Sequence, residues 1–288
     1  MSAPNHIVFR NDESYPALLR ACSGAPEELH YEGDLDILSA PCVSIVGSRV
    51  MTPYGKMIVR SFVPTLVRAG LTIVSGLAYG VDSEVHKVAL EHDGRCVAVL
   101  GNGIDITYPS NHAWLRQQIV QSGGCLVSEY PPGTPPLRHH FPERNRIVAG
   151  LSQVTVVIEA GVHSGSLITA RLANEFGRSV CAVPGDITRP QSLGIVALLG
   201  DIAQAVAKPE DVIILYKEVT PAQLCLDLRP ALTGSLASLY ALISRGEETI
   251  DRLLTLTGLS LPELQSALTV LELDNYINRT GQRWQRIS

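Results

Sequence analysis

Six short apolar strands alternating with helix-patterned stretches predict an α/β protein built on a doubly wound parallel sheet. Polar, glycine-bearing loops after those strands place its sites on one edge, at the strands' C-terminal ends. A change of pattern after Asp211 adds a small C-terminal winged helix.

The strands are read at 43–48 (VSIVGS), 71–75 (LTIVS), 96–100 (CVAVL), 124–128 (GCLVS), 154–158 (VTVVI) and 179–183 (SVCAV). Each is a continuous apolar or β-branched run, as a strand covered by helices on both faces requires. Helical periodicity falls between them, near 54–69, 80–92, 111–122, 143–151 and 164–177. In the last of these, Ile168, Leu172 and Phe176 recur every fourth residue, and Ser164 or Ser166 can cap the start. Residues 1–40 carry Tyr15, Leu18, Leu19, Leu35, Ile37 and Leu38, too few for a domain of their own, so they read as a short extension of a sheet domain spanning 41–216. Residues 217–232, with Pro221 and Pro230, read as a linker. Within 233–288 come three helical patterns, at about 235–245, 249–257 and 260–273, followed by a hairpin around Thr280-Gly281-Gln282. Three helices and a hairpin make a winged helix-turn-helix, with Gly258 in the turn.

The loops carry the chemistry. Gly47-Ser48-Arg49 follows the first core strand but lacks the G-x-G-x-x-G spacing, and no acid ends the next strand, which argues against a dinucleotide cofactor. Arg49 can clamp a phosphate there, or pair with a neighbouring acid. From Arg138 to Arg146 there are three arginines against one glutamate, and the helix start at Ser164-Gly165-Ser166 offers free N–H groups to an anion. Phe141 sits among these cations. A ring beside cations suits single-stranded nucleic acid, which needs a stacking face and phosphate neutralisation; the alternative is that Phe141 plugs the core. Asp82 and His86, at i and i+4, lack a third ligand nearby, so Asp82 reads as a partner for its helix N-terminus and no metal is expected. Glu129 and Glu159 each end a strand and can hold arginines or act as acid and base.

The net charge of −5 over 288 residues argues against indiscriminate coating of nucleic acid, though not against a local basic groove. No apolar run approaches the roughly 18 residues of a membrane span, and no secretory signal opens the chain, so the expected location is the cytoplasm. Six cysteines without a C-x-x-C pair read as buried thiols. Residues 260–273 (SLPELQSALTVLEL) hold no Arg or Lys, so reading of the duplex major groove by that helix is not expected.

In order along the chain stand Ile45-Val46-Gly47-Ser48-Arg49, Ser75-Gly76-Leu77-Ala78, Val99-Leu100-Gly101, Ser128-Glu129-Tyr130-Pro131-Pro132-Gly133, Phe141-Pro142 with Arg144-Asn145-Arg146, Glu159-Ala160 and Ser164-Gly165-Ser166. This series resembles the DNA-processing protein A family, also called Smf, over residues 45–186. The resemblance implies an extended Rossmann-like domain that binds single-stranded DNA, forms homodimers, and helps load the RecA recombinase during natural transformation; no enzymatic activity or cofactor is expected, since the chain lacks a hydrolase loop, a metal cluster and a dinucleotide fingerprint. It points to Arg49, Arg138 and Phe141 as DNA contacts. Together with the loop reading, the candidate DNA-binding set is Gly47, Ser48, Arg49, Arg138, Phe141, Arg144, Asn145, Arg146, Ser164, Gly165 and Ser166. The sequence departs from the family pattern at Tyr79, where an arginine is frequent, and at Val196 and Ile202. An alternative from another class is a nucleotide phosphoribohydrolase of a related fold, whose Pro-Gly-Gly-x-Gly-Thr loop is missing where this chain has residues 160–166.

Overall fold

The computed structural model describes residues 6–216, 234–243, 248–273, 276–281 and 283–286. The linker read at 217–232 lies outside them. The chain divides into two compact units near residue 219.

In the first unit the chain runs β1 (His6–Phe9), α1 (Ala17–Arg20), β2 (Glu28–Gly33), β3 (Cys42–Val46), α2 (Pro53–Arg68), β4 (Thr72–Ser75), α3 (Val81–Glu91) and β5 (Cys96–Leu100). It continues through α4 (Ala113–Gln121), β6 (Cys125–Ser128), α5 (His140–Gly150), β7 (Val154–Val157), α6 (Gly165–Glu175), β8 (Ser179–Ala182), α7 (Leu193–Leu199), β9 (Gln204–Ala205) and α8 (Glu210–Ile213). All six strands expected from sequence are present. They belong to a nine-stranded sheet ordered β1-β2-β6-β5-β4-β3-β7-β8-β9. From β6 to β9 every neighbour is parallel, whereas β2 joins β6, and β1 joins β2, in antiparallel register. The doubly wound parallel core is thus extended at one edge by two antiparallel strands from residues 1–40, which makes the whole sheet mixed. Residues such as Glu28-Leu29-His30-Tyr31 have one polar and one apolar side, which an antiparallel edge tolerates and a parallel core does not.

Val43, Ile45, Ile73, Val97, Val99, Leu126, Val154 and Val156 are all buried, because helices cover both faces. The five described cysteines are free and buried in the same unit. Connections from β3 run one way to β4, β5 and β6, and the other way from β7 to β8 and β9. The reversal between β3 and β7 is the topological switch point, where a doubly wound sheet opens a crevice beyond its strand ends. Among the described residues no helix is long and apolar enough to cross a membrane.

The second unit has α9 (Gly234–Leu242), β10 (Glu248–Thr249), α10 (Ile250–Thr257), α11 (Leu261–Leu273), β11 (Ile277–Thr280) and β12 (Arg283–Arg286). Thr249 caps α10 through its side chain, and Gly258 ends that helix in the left-handed conformation, φ +67°, which favours glycine. Leu239, Ile243, Leu253, Leu264, Leu268, Leu271, Ile277 and Trp284 form its core. The hairpin gains a third strand, β10, paired to β12.

Candidate nucleic-acid interface

The crevice at the switch point is a groove of about 880 Å³. Its near wall is the loop after β3. Gly47 is required there, since a Cβ would stand 2.7 Å from the Val81 side chain. Ser48 spends its hydroxyl locally, accepting from the Val50 N–H at 3.1 Å. Arg49 is exposed, and its guanidinium lies 5.4 Å from the centroid of the Phe141 ring. Among the described residues no carboxylate forms an ion pair with Arg49 or Arg138, so both exposed cations are available to an incoming anion.

The far wall is the helix start after β7. Ser164 caps α6, accepting from the Ser166 N–H, and the two hydroxyls lie 2.7 Å apart. Asn145 donates to the Gly165 carbonyl at 3.2 Å and ties this wall to α5. Gly47, Ser48, Arg49, Arg138, Phe141, Arg144, Asn145, Ser164, Gly165 and Ser166 therefore line one groove.

Helix α5 begins at His140, three residues earlier than expected, because Pro142 is tolerated within a first turn whose N–H groups have no intrahelical partner. Phe141 thus stands on the helix, half-buried, not in a turn ahead of it. Its ring is 5.4 Å from that of Tyr108 and only 3.0 Å from where a Cβ on Gly101 would be.

The arginine cluster does not act as one. Arg144 is only 4% exposed and donates to the Gly76 carbonyl at 2.6 Å and to the Val99 carbonyl, bracing the ends of β4 and β5. Burial lowers its pKa to about 10, opposed by the charge of Asp82. Asp82 is buried on the first turn of α3; burial raises its pKa, while Arg144 and the N–H groups of Ala78 and Gly76 pull it down. Arg144 is thus floor, with its Nη1 committed to two backbone carbonyls. Arg146 leaves the groove and forms an ion pair with Glu129 at the end of β6. Glu159 holds no arginine: it accepts from Thr52 at the start of α2 and packs where a Cβ on Gly55 would be. Beneath the floor, His86 is fully buried with neither ring nitrogen hydrogen-bonded, and burial, with His112 and Arg144 nearby, lowers its pKa to about 3. Among the described residues no group of three His, Cys, Asp or Glu could hold a metal ion.

The candidate set omits Tyr108, Tyr79 and Ala78, which stand around Phe141. Tyr108 carried the same signal as Phe141, an aromatic in a loop at the sheet's C-terminal edge of an aromatic-poor chain.

The chain as a whole is similar to known proteins. The Smf protein of Escherichia coli is 44% identical over 214 residues, 74% of this chain, which spans 57% of that protein's length. Among solved structures, the DNA processing protein A of Streptococcus pneumoniae superposes with a TM-score of 0.71 at 39% identity, over 75% of this chain and 76% of that one. The DNA processing protein A of Helicobacter pylori, whose structure was described for its single-stranded DNA binding mode, superposes with a TM-score of 0.66 at 29% identity, over 74% and 95%. Residues 227–282 match the model of the DprA winged helix domain. With residues 6–217 matching its family model, the chain belongs to the DNA recombination-mediator protein A family.

Proposed function

We propose that the groove binds single-stranded DNA with little sequence selectivity, and that the bound strand is passed to the RecA recombinase during natural transformation. The observation that carries the reading is the exposed, acid-free guanidinium of Arg49 set over the half-buried ring of Phe141 at the switch point. Arg49 and Arg138 neutralise phosphates, which are present in any sequence. Phe141 stacks on an unpaired base, whose face a duplex hides. The α6 start on the opposite wall adds the Ser164 and Ser166 hydroxyls and the positive end of the helix dipole. The single-strand binding described for the Helicobacter pylori relative supports this assignment.

The site works by holding, not by chemistry: Glu129 and Glu159, the carboxylates at the strand ends, are engaged with Arg146 and Thr52. No release of free base from nucleoside monophosphates is therefore expected, and chromatographic detection of base in excess over protein would overturn this. RecA and a second copy of the chain are the protein partners we propose, with the cytoplasm as the place of action.

The test is binding of the purified chain to matched single- and double-stranded oligonucleotides across a salt series. Tighter binding to the single strand, weakening as salt rises, is expected. Equal affinity for duplex would overturn the reading.

A further inference from the structure

Two more rings crowd the Phe141 end of the groove. Tyr79 and Tyr108 are 47% and 43% exposed, a poor use of apolar surface unless something covers it. With Arg49, Gly101, Pro109 and Phe141 they line a recess adjoining the groove, which shares Arg49, Tyr108 and Phe141 with it. Tyr79 is carried on unusually fixed backbone. Leu77 holds φ +54° in a buried position, a conformation that bulky side chains rarely adopt. His112 Nδ1 bonds the Leu77 carbonyl at 3.0 Å, and the His112 ring meets Tyr79 edge-on at 5.1 Å. On the other side, Gly80 at φ +78° packs against Ser48 and Arg49, and the Val81 N–H donates to the Ser48 carbonyl at 3.1 Å. Strain of this kind survives only where the surroundings impose it, and it collects at binding sites.

We propose that Tyr79 and Tyr108 form a second stacking step, which takes the unpaired base next to the one on Phe141 and leads the strand out of the groove past Arg49. A preset ring loses little freedom on binding, and a base is the ligand whose flat apolar face suits it while its phosphate reaches Arg49. The lining from the α6 side, Val162, His163, Ile168, Pro190 and Gln191, holds no arginine, lysine, Phe, Tyr or Trp, so the rings and the cation that a strand needs are gathered with Tyr79 and Tyr108.

This inference rests on the single-strand reading, and the experiment separates the two. Affinity of the full chain, Tyr79→Ala and Tyr79→Phe for oligothymidylates of increasing length is measured at several salt concentrations. For oligonucleotides long enough to reach past Phe141, Tyr79→Ala should bind about tenfold more weakly, with the salt slope unchanged, and Tyr79→Phe should match the unaltered chain. The shortest oligonucleotides should not distinguish the three. If the unaltered chain binds single strands and Tyr79→Ala binds equally at every length, the second step is overturned and the single-strand reading stands. If Tyr79→Ala instead flattens the salt slope, Tyr79 acts by placing Arg49, and the stacking step is likewise overturned. Failure of the unaltered chain to bind any single strand overturns both.

Discussion

The rim and the floor of the groove use the same side chain for opposite ends. Arg49 on the rim is exposed, unpaired by any acid among the described residues and held over a ring; Arg144 on the floor is buried and donates to two backbone carbonyls. A guanidinium facing water can exchange its hydration for a phosphate at little cost. One already desolvated is tied to the fold, because its loss leaves unsatisfied groups in low dielectric. Placement, and not residue type, thus divides binding from support.

The sharpest way to break this contrast is Arg144→Met. It leaves the Gly76 and Val99 carbonyls without their donor and Asp82 without a nearby positive charge, so stability should fall by about 1–3 kcal/mol, read from urea unfolding. Arg144→Lys should recover part of the loss, since both carbonyls accept from the one nitrogen Nη1 and an ammonium can also donate to two acceptors. An unchanged unfolding midpoint would move Arg144 to the rim.

Acid probes the floor next. His86 is buried in its neutral form, and its pKa falls from 6.5 to about 3 on folding. The stability it confers is complete above pH 6.5 and drains away as pH falls toward about 3, because the unfolded chain takes up a proton that the folded one refuses. The loss approaches roughly 1.4 kcal/mol per pH unit. Asp82, raised by burial, contributes with the opposite sign, so the contrast with a variant is what isolates His86. His86→Leu should show a shallower decline between pH 6.5 and 4; identical slopes would place the acid lability elsewhere.

On the rim, Phe141→Ala should weaken single-strand binding by roughly 1–3 kcal/mol while leaving the salt dependence intact, since no counterion is released by stacking. A ring acting as a core plug would instead lower the melting temperature and spare affinity in the folded fraction. Arg49→Ala and Arg138→Ala should each flatten the slope of log affinity against log salt by about 0.7, with stability changed by no more than about 0.5 kcal/mol. A slope that stays put in either variant removes that residue from the phosphate path.

Much of the scaffold was legible because a buried parallel strand leaves no choice of residue: VTVVI and CVAVL can hardly be anything else. Strands β1 and β2 escaped, since a four-residue edge and a half-polar one lack that compulsion, and the strand that ties them to the sheet, β6, lies about a hundred residues from β2 in sequence. The arginines of 138–146 looked like one cationic cluster because spacing along a chain does not show which way a helix faces. The clue was present: His140, Arg144, Ile147, Val148 and Leu151 follow helical spacing and are all buried, which puts Arg144 on the inner stripe and leaves Arg138 ahead of the helix.

The tight seat of Gly80 against the Ser48 and Arg49 carbonyls, 2.3 and 2.6 Å from where a Cβ would stand, bears on how such a groove can change over generations. With the two loops locked together by backbone, positions 49 and 79 are pegs on a rigid board. A lineage can swap a charge for a ring at either peg by single mutations that hardly touch folding, whereas any side chain at position 80 would pry the loops apart. Binding strategy is free to drift here precisely as far as one glycine stays still.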